Sequence, residues 1–391
     1  MNIALFSDTY PPEINGVATS TYNLAKALRE HGHQVLVVTT NRDSKKLSME
    51  DDVLRIPGIK VKALYGYRAS GPYNREAMKM IASFHPDVVH CQTDAGIGIF
   101  GQFVANSLRV GNVYTYHTMV EDYAYYVTRG HFDRFARHAV RWFFRSKSSM
   151  FDEFIAPSDK SKDYLRSIGI DTTISVVPTG IELSRFDPRK ENKEETAALK
   201  EKFGIRPEDF VILSLGRIAK EKSIDVLIKG YKLFLEGNPE RSTKLVITGW
   251  GPAETELRSL TAKLGLSDQV IFTGKCAPDE TQKYYHLGDC FASASLSETQ
   301  GLTFMEGMAA NLVVIARYDD NLVGTIKDGE TGFFFFSEED FAERLQTVVS
   351  LTPAELRRIS ANARKVIDGY SMERFYRNVM QTYERVWKKN W

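Results

Sequence analysis

Short apolar runs alternate along the chain with stretches in which apolar residues recur every three or four positions. In the first half the runs fall at residues 3–6, 35–38, 87–90, 112–116 and 154–156. Between the first two, Val17, Thr21, Leu24 and Leu28 share one helical face and Gly32 follows. The local unit is therefore strand, loop, helix, strand. The second half repeats the pattern at 210–215, 244–248, 270–272, 290–292 and 313–316. Strands alternating with crossover helices predict parallel sheets, and two such series predict two α/β domains. The charge-dense stretch 189–202 follows the turn Pro178, Thr179, Gly180 and reads as a connection. The predicted layout is a domain over 1–180, a linker over 181–204 and a second domain over 205–370. Beyond it, Phe375, Val379, Tyr383 and Val386 predict an amphipathic helix over 371–391 that packs back on the first domain.

Composition narrows the class. A chain of 391 residues, 43% hydrophobic and 26% charged, has enough apolar material for two ordinary cores and is not a disordered sequence. Lys and Arg number 51 against 50 Asp and Glu, so the molecule as a whole carries no field that would draw it onto nucleic acid. Cys91, Cys276 and Cys290 show no metal-type spacing and read as structural thiols in a reducing cytosol. Met1 leads directly into an apolar run with no basic segment before it, which argues against a secretory leader. No apolar stretch approaches the roughly 20 residues of a membrane span, so any membrane contact is expected to be peripheral.

Three segments carry candidate chemistry. The loop 7–16 joins a strand to a helix and ends in Asn15 and Gly16, where a glycine lets backbone approach a phosphate or sugar. Ordinary turn chemistry accounts for the same pair. Gly216 and Arg217 end a predicted strand, and Lys222 follows five residues after the arginine. Two cations there can neutralise a diphosphate, or they can be a solvated helix start. In 297–306, Glu298 and Glu306 stand eight positions apart around Gly301. The N–H groups of Gly301, Leu302 and Thr303 then open the helix 304–310, where the dipole favours an anion. Glu306, one turn in, also fits a helix-capping role.

Together these segments resemble the retaining glycosyltransferases of family 4. The resemblance rests on the spacing of Glu298 and Glu306, on Gly216, Arg217 and Lys222, and on the opening run from Pro11 to Gly16. It rests further on Leu24 to Leu28 with Gly32 to Val35, on the run from Val177 to Ile181, and on that from Asp328 to Gly332. It implies the GT-B fold, two Rossmann-like domains facing an interdomain cleft, and a UDP-sugar donor. Among matching positions it implies that Arg217 and Lys222 bind the diphosphate, Glu298 the transferred sugar and Glu306 the ribose. Gly16 closes the N-terminal side, His117 lies beside the sugar, and Lys275 belongs to the loop that meets the nucleobase. Asn15, Ser223, Asn311 and Val313 depart from the glycines and proline that many relatives carry, without removing a charged donor contact.

The segment Tyr116 to Val127 is similar to the bacterial branch of that family that glucosylates diacylglycerol from UDP-glucose with an α linkage. This places Glu121, Asp122 and Tyr123 on the acceptor side, although Glu121 and Asp122 equally suit a solvated loop. Residues 131–149 carry five cations and one anion, with Phe132, Phe135, Ala139 and Trp142 at helical spacing. Arg134, Arg137, Arg141, Trp142 and Arg145 are thereby expected at an anionic membrane interface, the alternative being a plain surface helix. The implied location is cytoplasmic, at the inner face of the cell membrane.

Retention without an evident protein nucleophile places the lipid hydroxyl on the face from which the nucleotide leaves. No metal is expected, since cations and a helix N-terminus supply the positive charge. A soluble glycan, a teichoic acid or an already glycosylated lipid remains an alternative acceptor. So does a sugar-binding scaffold without turnover. A nicotinamide-dependent oxidoreductase would need a glycine-rich fingerprint after the first strand, which is absent.

Overall fold

The computed structural model describes residues 1–13, 15–41, 44–60, 68–117, 145–146, 148–277, 279–296, 298 and 300–389. The chain forms two units, Met1–Gly180 together with Met372–Trp391, and Ile181–Ser371.

In the first unit the strands are β1 (Asn2–Ser7), β2 (Gln34–Asn41), β3 (Ser48–Glu50), β4 (Val53–Lys60), β5 (Arg68–Ser70), β6 (Val88–Cys91), β7 (Gly111–Thr115), β8 (Glu153–Ala156) and β9 (Thr173–Val176). They order as β3-β4-β2-β1-β6-β7-β8-β9, with β5 on β4. Pairing is parallel from β4 to β9, and β3 and β5 run antiparallel on β4. The helices are α1 (Gly16–Glu30), α2 (Arg75–Phe84), α3 (Gly96–Leu108) and α4 (Asp159–Ser167). The two-residue period of β1 divides its side chains between two layers. Ala4 and Phe6 join the layer of α3, and Ile3 and Leu5 join that of α1. Burial on both faces explains why β1 reads as an unbroken apolar run.

The second unit repeats this plan with β10 (Phe210–Leu215), β11 (Thr243–Thr248), β12 (Val270–Gly274), β13 (Cys290–Ser293), β14 (Val313–Arg317) and β15 (Phe333–Phe335). The order is β12-β11-β10-β13-β14-β15, parallel throughout. Its helices are α5 (Lys193–Lys202), α6 (Ile224–Gly237), α7 (Glu254–Lys263), α8 (Thr281–Tyr285), α9 (Leu302–Ala309), α10 (Glu338–Val349) and α11 (Pro353–Ile367).

The chain passes from the first unit to the second between Gly180 and Ile181. Residues 181–204, expected as a linker, instead fold into the second unit. Leu183 and Phe186 enter its core beside Ile205, and α5 is capped by Asn192, whose Oδ1 accepts from the Glu195 N–H at 3.3 Å. The charge density of 189–202 is that of a solvated helix surface, which composition does not distinguish from a connection.

The last helix, α12 (Met372–Lys389), belongs to the first unit. Phe375, Val379, Tyr383 and Val386 are buried with Leu5, Leu28 and Val37. At its far end Arg385 Nη2 donates to Glu153 Oε1 at 2.5 Å and to Ser175 Oγ at 2.9 Å. The buried Glu153 carboxylate of β8 is thereby paired, the condition on which a charge is tolerated in an interior.

Candidate active site

In each sheet the first strand of the unit lies between its second strand and a later one, so successive connections run to opposite sides. Ligands of open parallel sheets bind beyond the strand C-termini at such a reversal. In the second unit the reversal is at β10, between β11 and β13. Beyond those ends stand Gly216 and Arg217, Gly249 to Gly251, and Ser295, Leu296 and Glu298. Gly249 has φ +142, and a Cβ there would lie 1.8 Å from the Gly216 carbonyl oxygen, so the two strand ends approach too closely for any side chain.

Lys222 sits on the 3-10 turn Lys220–Lys222. Its Nζ donates to Glu298 Oε1 at 2.6 Å and to Ser295 Oγ at 3.3 Å. Burial alone would raise the Glu298 carboxyl. The Lys222 charge and hydrogen bond, with a bond from Ser295, outweigh it and hold the group below its ordinary value. Asn321 Nδ2 donates to the Glu298 carbonyl, fixing the loop from its backbone side. Arg217 pairs with Glu221 on the 3-10 turn. Each cation thus has a carboxylate companion.

Gly301 leads α9 with φ +77, and a Cβ there would lie 2.7 Å from Leu322 Cδ2 and 2.9 Å from Phe304 Cδ2. No described side chain caps α9, so its first N–H groups, beginning with Leu302 and Thr303, are not covered by a cap. Glu306 lies one turn in, where Tyr285 OH donates to its Oε2 at 2.8 Å. Burial pushes this carboxyl up to about 7, against the bond from Tyr285 and the Arg185 charge. Glu306 thus bonds to a tyrosine of α8 and does not cap its own helix. Lys275 is exposed just beyond β12, outside this bonded set, and Cys276 beside it is buried.

In the first unit the reversal is at β1, between β2 and β6. Beyond β6 and β7 stand Gln92 and His117, and His117 Nε2 lies 2.6 Å from Gln92 Oε1. Gln92 Nε2 lies 3.1 Å from His90 Nε2. Burial pushes the His117 imidazole down to about 4; burial, with the His117 charge, pushes His90 to about 3. Both rings are neutral at neutral pH. Gly16 opens α1, and a Cβ on it would meet nothing within 4 Å. Asn15 Oδ1 accepts from the Ala18 N–H at 2.9 Å, so this residue is a helix cap.

Glu121, Asp122, Tyr123, Arg134, Arg137, Arg141 and Trp142 lie outside the described residues. Arg145 is described and exposed, and its carbonyl accepts from Ser148 Oγ at 2.8 Å. Among the described residues no group of three or more His, Cys, Asp or Glu is arranged to hold a metal. Nor is any described helix long and apolar enough to cross a membrane. Ser295, Asn321, Tyr285 and Glu221 escape sequence reasoning, because lone polar residues carry no periodic signal. Gly249 and Gly251 did offer one, as glycines directly after a strand.

Two family models match the chain, Glycosyltransferase Family 4 over residues 14–185 and Glycosyl transferases group 1 over residues 195–366. The alpha-monoglucosyldiacylglycerol synthase of Streptococcus pneumoniae is 34% identical over 355 residues, covering 90% of this chain and 79% of that protein. The alpha-monoglucosyldiacylglycerol synthase of Acholeplasma laidlawii is 34% identical over 396 residues, 100% of this chain and 98% of that one. Among solved structures, Anabaena Alr3699/HepE in complex with UDP-glucose superposes with a TM-score of 0.75 at 16% identity, over 98% of this chain and 100% of that one. That likeness shows the fold, GT-B with two Rossmann-like domains.

Proposed function

This chain belongs to glycosyltransferase family 4, and we propose that it moves glucose from UDP-glucose to the 3-hydroxyl of 1,2-diacylglycerol at a membrane surface, giving an α-glycolipid. The observation that carries the donor side is the bond between Lys222 and Glu298, set on the same loop as the uncapped start of α9. A cation and N–H dipoles in one place suit a diphosphate, and an ionised carboxylate beside them suits sugar hydroxyls. The acceptor reading draws on the two diacylglycerol-glucosylating relatives and on the basic, aromatic segment 131–149.

The bond from the anomeric carbon to the β-phosphate oxygen breaks as the lipid oxygen bonds to that carbon from the same face. The lipid hydroxyl's proton passes to the departing phosphate. Arg217, Lys222 and the N–H groups of Gly301, Leu302 and Thr303 stabilise the developing charge, doing so without a metal. Glu298 orients the hexose, Glu306 accepts from the ribose, and Lys275 borders the base. His117 and Gly16 line the sugar on the first unit's side, and Glu121, Asp122 and Tyr123 border the acceptor. Arg134, Arg137, Arg141, Trp142 and Arg145 hold the protein peripherally to an anionic leaflet, the cytoplasmic face of the cell membrane.

UDP release from UDP-glucose, UDP-galactose and UDP-N-acetylglucosamine, with and without diacylglycerol vesicles, tests this. Release stimulated by the vesicles and greatest with UDP-glucose is expected. Release indifferent to diacylglycerol but stimulated by a soluble glycan would overturn the acceptor assignment.

A further inference from the structure

A continuous line of hydrogen bonds, buried except at its His117 end, runs from the end of β7 to α12 within the first unit. His117 Nε2 faces Gln92 Oε1 at 2.6 Å, and Gln92 Nε2 faces His90 Nε2 at 3.1 Å. Thr115 Oγ1 lies 2.6 Å from that same His90 nitrogen, and the other ring nitrogen, Nδ1, lies 2.7 Å from Tyr383 OH. Gln92, His90 and Tyr383 are each at most 2% exposed. Buried polar groups in such a line must match donor to acceptor at every step.

With the Gln92 amide turned so that Oε1 faces His117 and Nε2 faces His90, that requirement assigns the protons. An amide nitrogen only donates, so His90 Nε2 is an acceptor, and the Thr115 hydroxyl donates to it as well. A neutral His90 then carries its proton on Nδ1 and donates to the Tyr383 oxygen. At the other end an amide oxygen only accepts, so His117 carries its proton on Nε2. The lone pair of His117 Nδ1 is left as the acceptor that the ring offers elsewhere.

We propose that Tyr383, His90 and Gln92 are positioning residues that lock His117 as its Nε2–H tautomer, so that Nδ1 accepts a hydrogen bond from a substrate hydroxyl. The inference rests on the placement of His117 at the substrate given above. A helix from the last residues of the chain thus sets the hydrogen-bonding sense of a group at the mouth of a strand nearly the whole sequence away. Reversal of any one member alone would set donor against donor or acceptor against acceptor in the interior.

The test is the imidazole 15N spectrum of the full-length protein, with the His117 signals assigned by loss in His117→Asn. The Nε2–H pattern is expected at neutral pH, and an Nδ1–H pattern overturns the proposal. Gln92→Leu should give averaged nitrogens and lower kcat about tenfold with donor KM little changed, as ring-orienting partners do elsewhere. Gln92→Glu, whose carboxylate still accepts from His117 Nε2–H while His90 moves its own proton to Nε2 and accepts from Tyr383 at Nδ1, should restore the tautomer and much of the rate. Equal rates and an unchanged spectrum in Gln92→Leu would also overturn it. Comparing UDP release with and without diacylglycerol vesicles locates the hydroxyl. A sugar hydroxyl predicts loss in both assays, and the lipid hydroxyl predicts loss with vesicles alone. Because the spectrum needs no substrate, it decides the relay even where the assigned reaction proves wrong. Conversely, loss of turnover in Glu298→Ala alongside an Nδ1–H His117 would sink the relay and leave the reaction standing.

Discussion

The ammonium of Lys222 lies 2.6 Å from Glu298 Oε1, with the two side chains 27% and 13% exposed. A pair so far withdrawn from water is screened less than a surface ion pair, and removing one partner strands the other. Lys222→Ala should raise the Glu298 carboxyl and also remove charge from the leaving diphosphate. We expect turnover to fall by about 100-fold or more in Lys222→Ala and in Glu298→Ala, the scale set by loss of a preorganised charge partner. The double substitution should cost much less than the product of the two losses. UDP release under single-turnover conditions measures this, and near-wild-type rates would remove both residues from the site.

Glu306 titrates at about 7 where an ordinary glutamate titrates at 4.5. Between those values the folded protein binds more protons than the unfolded chain, so this residue's contribution to stability declines as pH rises through the window. Glu306→Gln should flatten that dependence, gaining on the wild type at pH 8 relative to pH 5. Urea midpoints for both proteins at the two pH values decide it. Parallel curves would place the carboxyl in a wetter setting than its Tyr285 contact suggests.

His90 and His117 shift the opposite way, to about 3 and about 4 from 6.5. Here the unfolded chain binds the extra protons. The stability of the two neutral rings is complete above pH 6.5 and is lost as pH falls towards the folded values. His90→Asn should shrink the acid-induced loss between pH 6.5 and 4. Hydrogen exchange within the first unit, followed across that range, would show an unchanged slope if burial of these rings were unimportant.

Gly301→Ala sets a Cβ 2.7 Å from Leu322 in a backbone conformation at φ +77. Strain of this kind costs about 1–3 kcal/mol, and the start of α9 has to shift to relieve it. A weaker affinity for UDP is therefore expected, together with a lower melting temperature. Gly16→Ala, whose added carbon meets nothing within 4 Å, should fold as the wild type does. Calorimetric titration with UDP and thermal melts of both variants test the contrast.

Much of the architecture can be read from period and punctuation. Residues 3–6 form an unbroken apolar run, and 210–215 one broken only by the buried Ser214, because both faces of β1 and β10 are covered. Strand β4 hides its character, since Pro57 interrupts it and its pairing with β2, β3 and β5 identifies it as a strand. Within the site, Lys222, Glu298, Glu306 and Gly301 stand out by charge or by glycine placement. Tyr285, Asn321 and Gln92 do not, because each earns its place through a single directional bond made by folding. The stretch 181–204 misleads for a further reason: a short, charged helix and a tether have the same composition.

Because α12 supplies Phe375, Val379, Tyr383 and Val386 to the sheet begun by residues 2–7, the first unit is assembled from two segments that flank the second in sequence. A ribosome synthesises Ile181–Ser371 in one uninterrupted stretch, and that unit has all its strands before α12 is made. The unit whose synthesis starts first is the one that must wait, with the sheet face beside α1 only partly covered, until α12 emerges.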